Sequence, residues 1–366
     1  MRKIAFIGNS LQTMWQFRSG VLTTLAQMGY EVVVIAPEDG DTVPLHKANI
    51  RFIPIQIDSH GMNPIADIRL MRQLKHIYRN EHFDLVFHYT IKPIIYGGWA
   101  AARTATAYIA VVTGLGYTFL SNNWITKLTK WLYRTALRHA KNVWFLNQDD
   151  QTIFIDQRIV SPTRTQVIPG EGVDTTFYHS TLPPTAPFTF LFVGRLLWHK
   201  GISEFVDAAK IVQQKYPNVK FHVVGSLEKP HLGATIQHIN QWTKTGIITY
   251  LGETTDIRPF VQQAHCIVLP SYREGLSRVL LEAAAMQRPI ITTQVPGCQE
   301  IVENGENGLL CMKQHALSLA QCMLQLLTLT DDDRQRMGEK GREKVCTLFD
   351  EKIIIKHYIN TLTELL

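Results

Sequence analysis

Phe190-Leu-Phe-Val-Gly194-Arg195-Leu-Leu-Trp-His199-Lys200-Gly201-Ile-Ser-Glu-Phe205 reads as a short buried strand ending at Gly194, a turn, and a helix. The helix begins near Gly201 and continues through Phe205, Ala208, Ala209 and Val212. The same alternation fills the chain. Lys3–Ile7, Glu31–Ile35, Asp84–Phe87, Tyr108–Val112 and Asn142–Leu146 read as strands, separated by helical periodicity over 15–28, 64–80, 93–104 and 122–139. Asn63 and Pro64 have the chemistry of a helix start. Further on, Phe190–Val193, Phe221–Val224, Ile248–Leu251, Ile267–Pro270 and Ile290–Thr293 are each followed by a helix. Repeated strand–helix units imply parallel sheets covered on both faces, so the fold class is α/β, with two doubly wound Rossmann-like domains. Ser180-Thr-Leu-Pro-Pro-Thr-Ala-Pro187 is the expected linker. The expected domains are 1–180 and 187–345, with 346–366 a C-terminal helix packing back on the first domain. Two such domains facing each other leave a cleft at the C-terminal strand edges, where open α/β sheets bind ligands.

Composition agrees with this class. The 366 residues are 45% hydrophobic and 19% charged, ordinary for a soluble protein and unlike a disordered or fibrous chain. No apolar run approaches the roughly 18 residues of a membrane-spanning helix. The first apolar stretch ends by Asn9, too soon for a secretory signal. Cys266, Cys298, Cys311, Cys322 and Cys346 form no C-x-x-C pair, as expected of reduced thiols in a cytoplasmic protein. Residues 1–165 carry 18 Lys+Arg against 11 Asp+Glu, whereas the remainder carries 19 against 20. The first half is therefore the one expected to face something anionic.

Three junctions carry the candidate chemistry. Arg195 and Lys200 bracket the turn after Gly194, beside the unpaired N–H groups of a helix start, and could cradle a pyrophosphate; the alternative is two solvated loop cations. This is neither a Walker loop nor a G-x-G-x-x-G turn. In Pro270-Ser-Tyr-Arg-Glu274-Gly275-Leu276-Ser277-Arg278-Val-Leu-Leu-Glu282, two carboxylates eight residues apart would lie about 12 Å apart along a helix. That exceeds the carboxylate spacing of a glycosidase but suits the two ends of a nucleotide sugar. Backbone N–H groups at Gly275, Leu276 and Ser277 could meet the diphosphate between them. The bland alternative is an ordinary helix carboxylate and a solvated loop residue. The third junction, Val295-Pro-Gly297-Cys298-Gln-Glu300, has the glycine of a close-approach loop, and Cys298 reads as a packing residue.

Asp331-Asp332-Asp333 follows Thr330 and opens a basic helix, so it reads as a cap, and the 14 histidines show no metal-ligand spacing. No metal site is expected. Over 124–141, Lys127, Lys130, Arg134, Arg138 and Lys141 form a cationic stripe beside Trp124, Ile125, Leu128, Trp131, Leu132 and Ala136. This suits a helix lying in an anionic membrane surface, or equally a sheet-covering helix with a solvated basic side.

Val193-Gly-Arg-Leu-Leu-Trp-His-Lys-Gly201, Leu269-Pro-Ser-Tyr-Arg-Glu-Gly-Leu-Ser277 with its E-x7-E spacing, and Val295-Pro-Gly-Cys-Gln-Glu300 resemble the retaining GT-B glycosyltransferases of family 4 (group 1). His88-Tyr-Thr-Ile-Lys-Pro93 and Val112-Thr-Gly-Leu-Gly-Tyr117 point to the subgroup that extends undecaprenyl-diphosphate-linked sugars, such as the N-acetylgalactosaminyl transferases of bacterial N-glycosylation. The resemblance implies that Arg195, Lys200 and Glu274 are catalytic. Gly194, Gly275, Leu276, Ser277 and Glu282 would bind the donor, Glu282 through the ribose. Gly8, His88, Lys92 and Gly114 would line the acceptor cleft. It implies a UDP-sugar donor, a lipid-linked saccharide acceptor, no metal or other cofactor, no nucleic acid, and peripheral contact with the cytoplasmic face of the plasma membrane. Two departures stand out. The first loop is Gly8-Asn-Ser-Leu-Gln where many relatives have Gly-Gly, and Ser277 replaces a proline. A nucleotide-sugar epimerase of the same fold, a two-lobed solute receptor and a silent assembly scaffold are the alternatives.

Overall fold

The computed structural model describes residues 1–58, 63–115, 124–185 and 187–366. Gly116 and Tyr117 of the N-terminal motif, and 122–123 of the expected helix, lie outside the described residues. The chain divides into two units, 1–172 with 351–366, and 173–350.

In the first unit the β-branched runs become β1 (Lys3–Ile7), β2 (Glu31–Ala36), β3 (Arg51–Pro54), β4 (Leu85–Tyr89), β5 (Tyr108–Val112), β6 (Asn142–Phe145) and β7 (Thr165–Val167). They form one parallel sheet in the order β3-β2-β1-β4-β5-β6-β7. The central strands are buried along almost their whole length, as a sheet covered on both faces requires. The covering helices are α1 (Leu11–Gln27), α2 (Val43–Lys47), α3 (Pro64–Glu81), α4 (Gly98–Thr104), α5 (Trp124–Ala136) and α6 (Gln148–Asp156). Asn63 caps α3 as its chemistry suggests, accepting from the Ile65 and Ala66 N–H groups. The single helix expected over 93–104 is a π-helical turn, Pro93–Gly97, running into α4.

The second unit has β8 (Thr189–Val193), β9 (Lys220–Val224), β10 (Thr249–Tyr250), β11 (Cys266–Leu269), β12 (Ile290–Thr293) and β13 (Gly308–Cys311), all parallel, in the order β10-β9-β8-β11-β12-β13. Its helices are α7 (Ile202–Lys215), α8 (Ile236–Lys244), α9 (Arg258–Gln262), α10 (Arg278–Ala285), α11 (Ala316–Thr328) and α12 (Asp331–Leu348). The strands that the apolar pattern misses, β3, β7 and β13, and the one it doubles in length, β10, are all sheet edges. Edge strands are short and carry the weakest apolar pattern.

The chain leaves the first unit at Gly172 and returns at Glu351. The proline-bearing stretch expected as the linker lies inside the second unit instead. There the Thr181 and Leu182 carbonyls accept from buried Arg288, at 2.7 and 3.0 Å. The last helix, α13 (Glu351–Leu365), belongs to the first unit, where Tyr358 enters an aromatic cluster with Phe87 and Trp144, ring centroids 5.1 and 5.0 Å away. The Tyr358 and Tyr89 hydroxyls are 2.5 Å apart, and the Arg18 guanidinium lies 3.8 Å from the Tyr89 ring centroid. Arg18 is buried, and its ion pair with Glu171 offsets the desolvation of its charge.

In each sheet the chain reverses direction of winding once, between β1 and β4 and between β8 and β11. Ligand crevices of open α/β sheets form at the carboxyl ends of such strand pairs.

Candidate functional site

In the second unit the three motifs converge at that switch point. β8 ends at Val193, just before Gly194, the chain turns through Trp198–Lys200, and Gly201 caps the start of α7 with φ +77°. A Cβ at Gly201 would lie 2.2 Å from the Pro270 carbonyl oxygen, so only glycine lets the turn close onto the loop after β11. The contact is tied further by the His199 carbonyl, which accepts from the Tyr272 N–H at 2.8 Å and the Ser271 hydroxyl at 3.3 Å. Gly297 does the same from the third motif: φ is +81°, and a Cβ there would fall 2.5 Å from Glu274. The Glu274 N–H donates to the Pro296 carbonyl at 3.0 Å. Two glycines thus hold three loops in contact.

That packing brings Lys200 to Glu274, Nζ to Oε1 2.5 Å, with both side chains largely buried. Arg195 lies on the same turn, mostly exposed, its Nη1 3.3 Å from Glu228. A primary ammonium and a guanidinium therefore share one strand–helix turn, and the loop after β11 brings a carboxylate onto it, the set needed to meet a diphosphate and a polyol together. His199, half-buried beside them, has its imidazole pKa lowered by burial and then by Lys200, so the ring adds no charge at neutral pH.

Two of the expected donor-side residues lie in closed surroundings. Ser277 is buried as the N-cap residue of α10, and its N–H is spent on the Gly297 carbonyl at 2.9 Å, so it has no free N–H for a diphosphate. Glu282 is not an open carboxylate. It is buried on α10, where Arg278 donates to Oε1 at 2.9 Å across one helical turn. Burial pushes its pKa up, and Arg278 and the Tyr178 hydroxyl pull it back. Gly275 and Leu276 lie in the loop between Glu274 and α10. Cys298 is fully buried, which raises its thiol pKa and suits packing.

At the carboxyl edge of the first sheet Gly8 follows β1, beside the switch point, and Gly114 follows β5, two strands away. Two residues expected to line the acceptor cleft are held by neighbours within the first unit. His88 points into the core from β4, wholly buried, with Nε2 2.7 Å from the Tyr78 hydroxyl. Burial pushes its pKa down to about 3. Lys92 is paired with Asp67, Nζ to Oδ1 2.9 Å, and the Tyr96 hydroxyl donates to the same carboxylate at 2.8 Å. Thr90, between them, has no such signal in the sequence: it is a β-branched residue at φ +66° whose buried hydroxyl has no hydrogen-bond partner among the described residues. Strain of that kind gathers at functional sites.

On α5 the buried face is Thr126, Thr129, Tyr133 and Ala136, not the tryptophan face. Trp124 and Trp131 are 67% and 53% exposed, with Leu128 exposed beside them. Lys127, Arg134 and Arg138 share this solvent side, and Lys130 is half-buried. Arg134 also donates to the Gln157 and Arg158 carbonyls, at 2.8 and 2.9 Å. Among the described residues no helix is long and apolar enough to cross a membrane, and no cluster of three His, Cys, Asp or Glu could hold a metal. The Asp331–Asp333 run forms the first turn of α12 behind the cap Thr330, whose hydroxyl accepts from the Asp333 N–H, and Asp331 pairs with Arg334 at 2.5 Å.

A family model for "Glycosyl transferases group 1" matches residues 187–329, and one for "Glycosyltransferase Family 4" matches 21–177. The chain is 25% identical to the N,N'-diacetylbacillosaminyl-diphospho-undecaprenol alpha-1,3-N-acetylgalactosaminyltransferase of Campylobacter jejuni, over 98% of this chain and 97% of that one. It is 26% identical to the UDP-Gal:alpha-D-GlcNAc-diphosphoundecaprenol alpha-1,3-galactosyltransferase of Escherichia coli, over 88% and 86% of the two chains. In fold it matches the Anabaena protein HepE in complex with UDP-glucose, with a TM-score of 0.80 at 20% identity and full coverage of both chains. Matched by the two family models over 21–177 and 187–329 and carrying two parallel Rossmann-like units, this chain belongs to the group 1, family 4 glycosyltransferases of the GT-B class.

Proposed function

We propose that the protein transfers a hexose or N-acetylhexosamine from a UDP-sugar to a lipid-diphosphate-linked saccharide, with retention and without a metal, in surface-polysaccharide or glycan assembly. The observation that carries this reading is the Lys200–Glu274 pair, 2.5 Å apart at the switch point of the second sheet, with Arg195 on the same turn. The full-length likeness to two enzymes named for undecaprenol-diphosphate sugars supports the acceptor class.

In the proposed reaction the bond from the anomeric carbon to the UDP oxygen breaks, and an acceptor hydroxyl attacks from the face the phosphate leaves. The hydroxyl proton passes to the departing phosphate oxygen. The diphosphate gains negative charge as it leaves, and Lys200 and Arg195 stabilise that charge from fixed positions, the larger kind of catalytic effect. Glu274, released from Lys200 when the phosphate arrives, takes the donor-sugar hydroxyls. Glu282, its carboxylate oriented by Arg278, meets the ribose. Gly194, Gly275 and Leu276 let the ligand approach the backbone. Gly8, Thr90 and Gly114 border the acceptor side. The exposed Trp124–Trp131 face of α5, flanked by Lys127, supports contact with an anionic membrane surface at the cytoplasmic face.

A screen of UDP- and GDP-sugars with a lipid-diphosphate-sugar acceptor tests the reading. It predicts acceptor-dependent UDP release and an α-linked product from an α-linked donor. Release of GDP only, or an inverted product, would overturn it.

A further inference from the structure

At the opposite edge of the first sheet, where β6 and β7 begin, Arg134, Arg138, Arg158 and Arg164 line one open cavity of about 590 Å³, with Thr135 and Ser161. Like charges gathered in one cavity repel, and among the described residues none of the four has a carboxylate partner. Two are held in place by backbone: Arg134 by the Gln157 and Arg158 carbonyls, and Arg164 by the Arg138 carbonyl at 2.8 Å. Those bonds occupy part of each guanidinium and aim the rest. The Arg138 and Arg158 side chains make no hydrogen bond among the described residues. Capping of carbonyls therefore accounts for two of the four arginines and leaves the others without a structural task.

We propose that this cavity is a second anion site, one that binds a phosphate group. Arginine forks match phosphate oxygens two at a time, and prefixed guanidiniums lose little entropy on binding. The phosphate could be free or carried on a lipid headgroup. The exposed Trp124, Leu128 and Trp131 lie on the helix that carries Arg134, which Trp124 precedes by about 15 Å at 1.5 Å per residue. The site is independent of the donor reading, which concerns the other unit.

The test titrates inorganic phosphate calorimetrically into the whole protein with saturating UDP present, so that a donor site is already filled. The same protein is floated with phosphatidylglycerol and with phosphatidylcholine vesicles. Wild type is compared with Arg138→Gln/Arg158→Gln, whose thermal unfolding should match it, and with Lys127→Gln/Lys130→Gln, which removes equal charge outside the cavity. Phosphate binding weakened about tenfold or more by the arginine pair alone, the size of a lost charge-assisted hydrogen bond, establishes the site with a soluble ligand. No free-phosphate binding, with phosphatidylglycerol flotation lost more in the arginine pair than in the lysine pair, establishes it with a lipid ligand. Equal effects of the two pairs, no effect of the arginine pair, or no binding in either arm overturns the proposal.

Discussion

Lys200 and Glu274 come together because two glycines permit it, so the site can be broken without touching a charged group. Gly201→Ala would place a side chain in the left-handed region, costing about 1–2 kcal/mol, and drive it into the Pro270 carbonyl. The expected result is a melting point lowered by roughly 4 °C or more, with loss of turnover, measured by calorimetry and UDP release. A variant as stable and active as wild type would show that the loops do not need this contact. Lys200→Ala makes the complementary prediction. Turnover should fall about 10²–10³-fold, the scale of one lost transition-state charge contact, with the melting point also lowered because Glu274 is left largely buried without its partner. His88 gives a pH prediction in the other unit. Its ring stays neutral in the folded core, whereas the unfolded chain takes up a proton below about pH 6.5. The unfolded state then binds more protons, so stability falls as pH drops through 6.5 towards 3, by up to about 1.4 kcal/mol per pH unit. His88→Gln should flatten that fall in urea-midpoint measurements, and an unchanged slope would show that this ring is not its source.

Amphipathic periodicity does not say which side of a helix is covered, and α5 shows why. Its apolar residues include two tryptophans that stay in solvent, while the buried side is made by threonines, a tyrosine and an alanine. A contact surface of that composition should bind anionic membranes through both tryptophan and charge. Lys127→Glu with Lys130→Glu, and separately Trp124→Ser with Trp131→Ser, should each reduce flotation with phosphatidylglycerol vesicles. Equal flotation of all three proteins would remove α5 from the membrane account. Elsewhere the elements legible in the sequence are the buried ones. β1, β4, β5, β8, β11 and β12 announce themselves through continuous apolar runs, because both their faces are covered. Edge strands such as Thr165-Gln-Val and the two-residue β10 carry little pattern to read. The π-helical turn at Pro93–Gly97 has no sequence signature beyond its proline.

Across the whole chain the two doubly wound units were legible, because strand–helix alternation is a repeated signal. The unit boundary was not, because the prolines at 183, 184 and 187 mimic a linker while Arg288 binds the adjacent carbonyls into the second unit. At the site, the convergence of the 195–200, 274 and 297 segments could be read from glycine placement and spacing. The closed Arg278–Glu282 pair and the burial of His88 could not, since both depend on which face packs. The catalytic account places the neutralising charge on side chains, so UDP release should be unaffected by a chelator such as EDTA. Loss of turnover restored by magnesium or manganese would assign part of that charge to an ion. The most direct test is a crystal soaked with UDP. The account predicts diphosphate density within hydrogen-bond reach of Lys200 and Arg195, with the Lys200–Glu274 pair opened. Density elsewhere, with that pair intact, would contradict it.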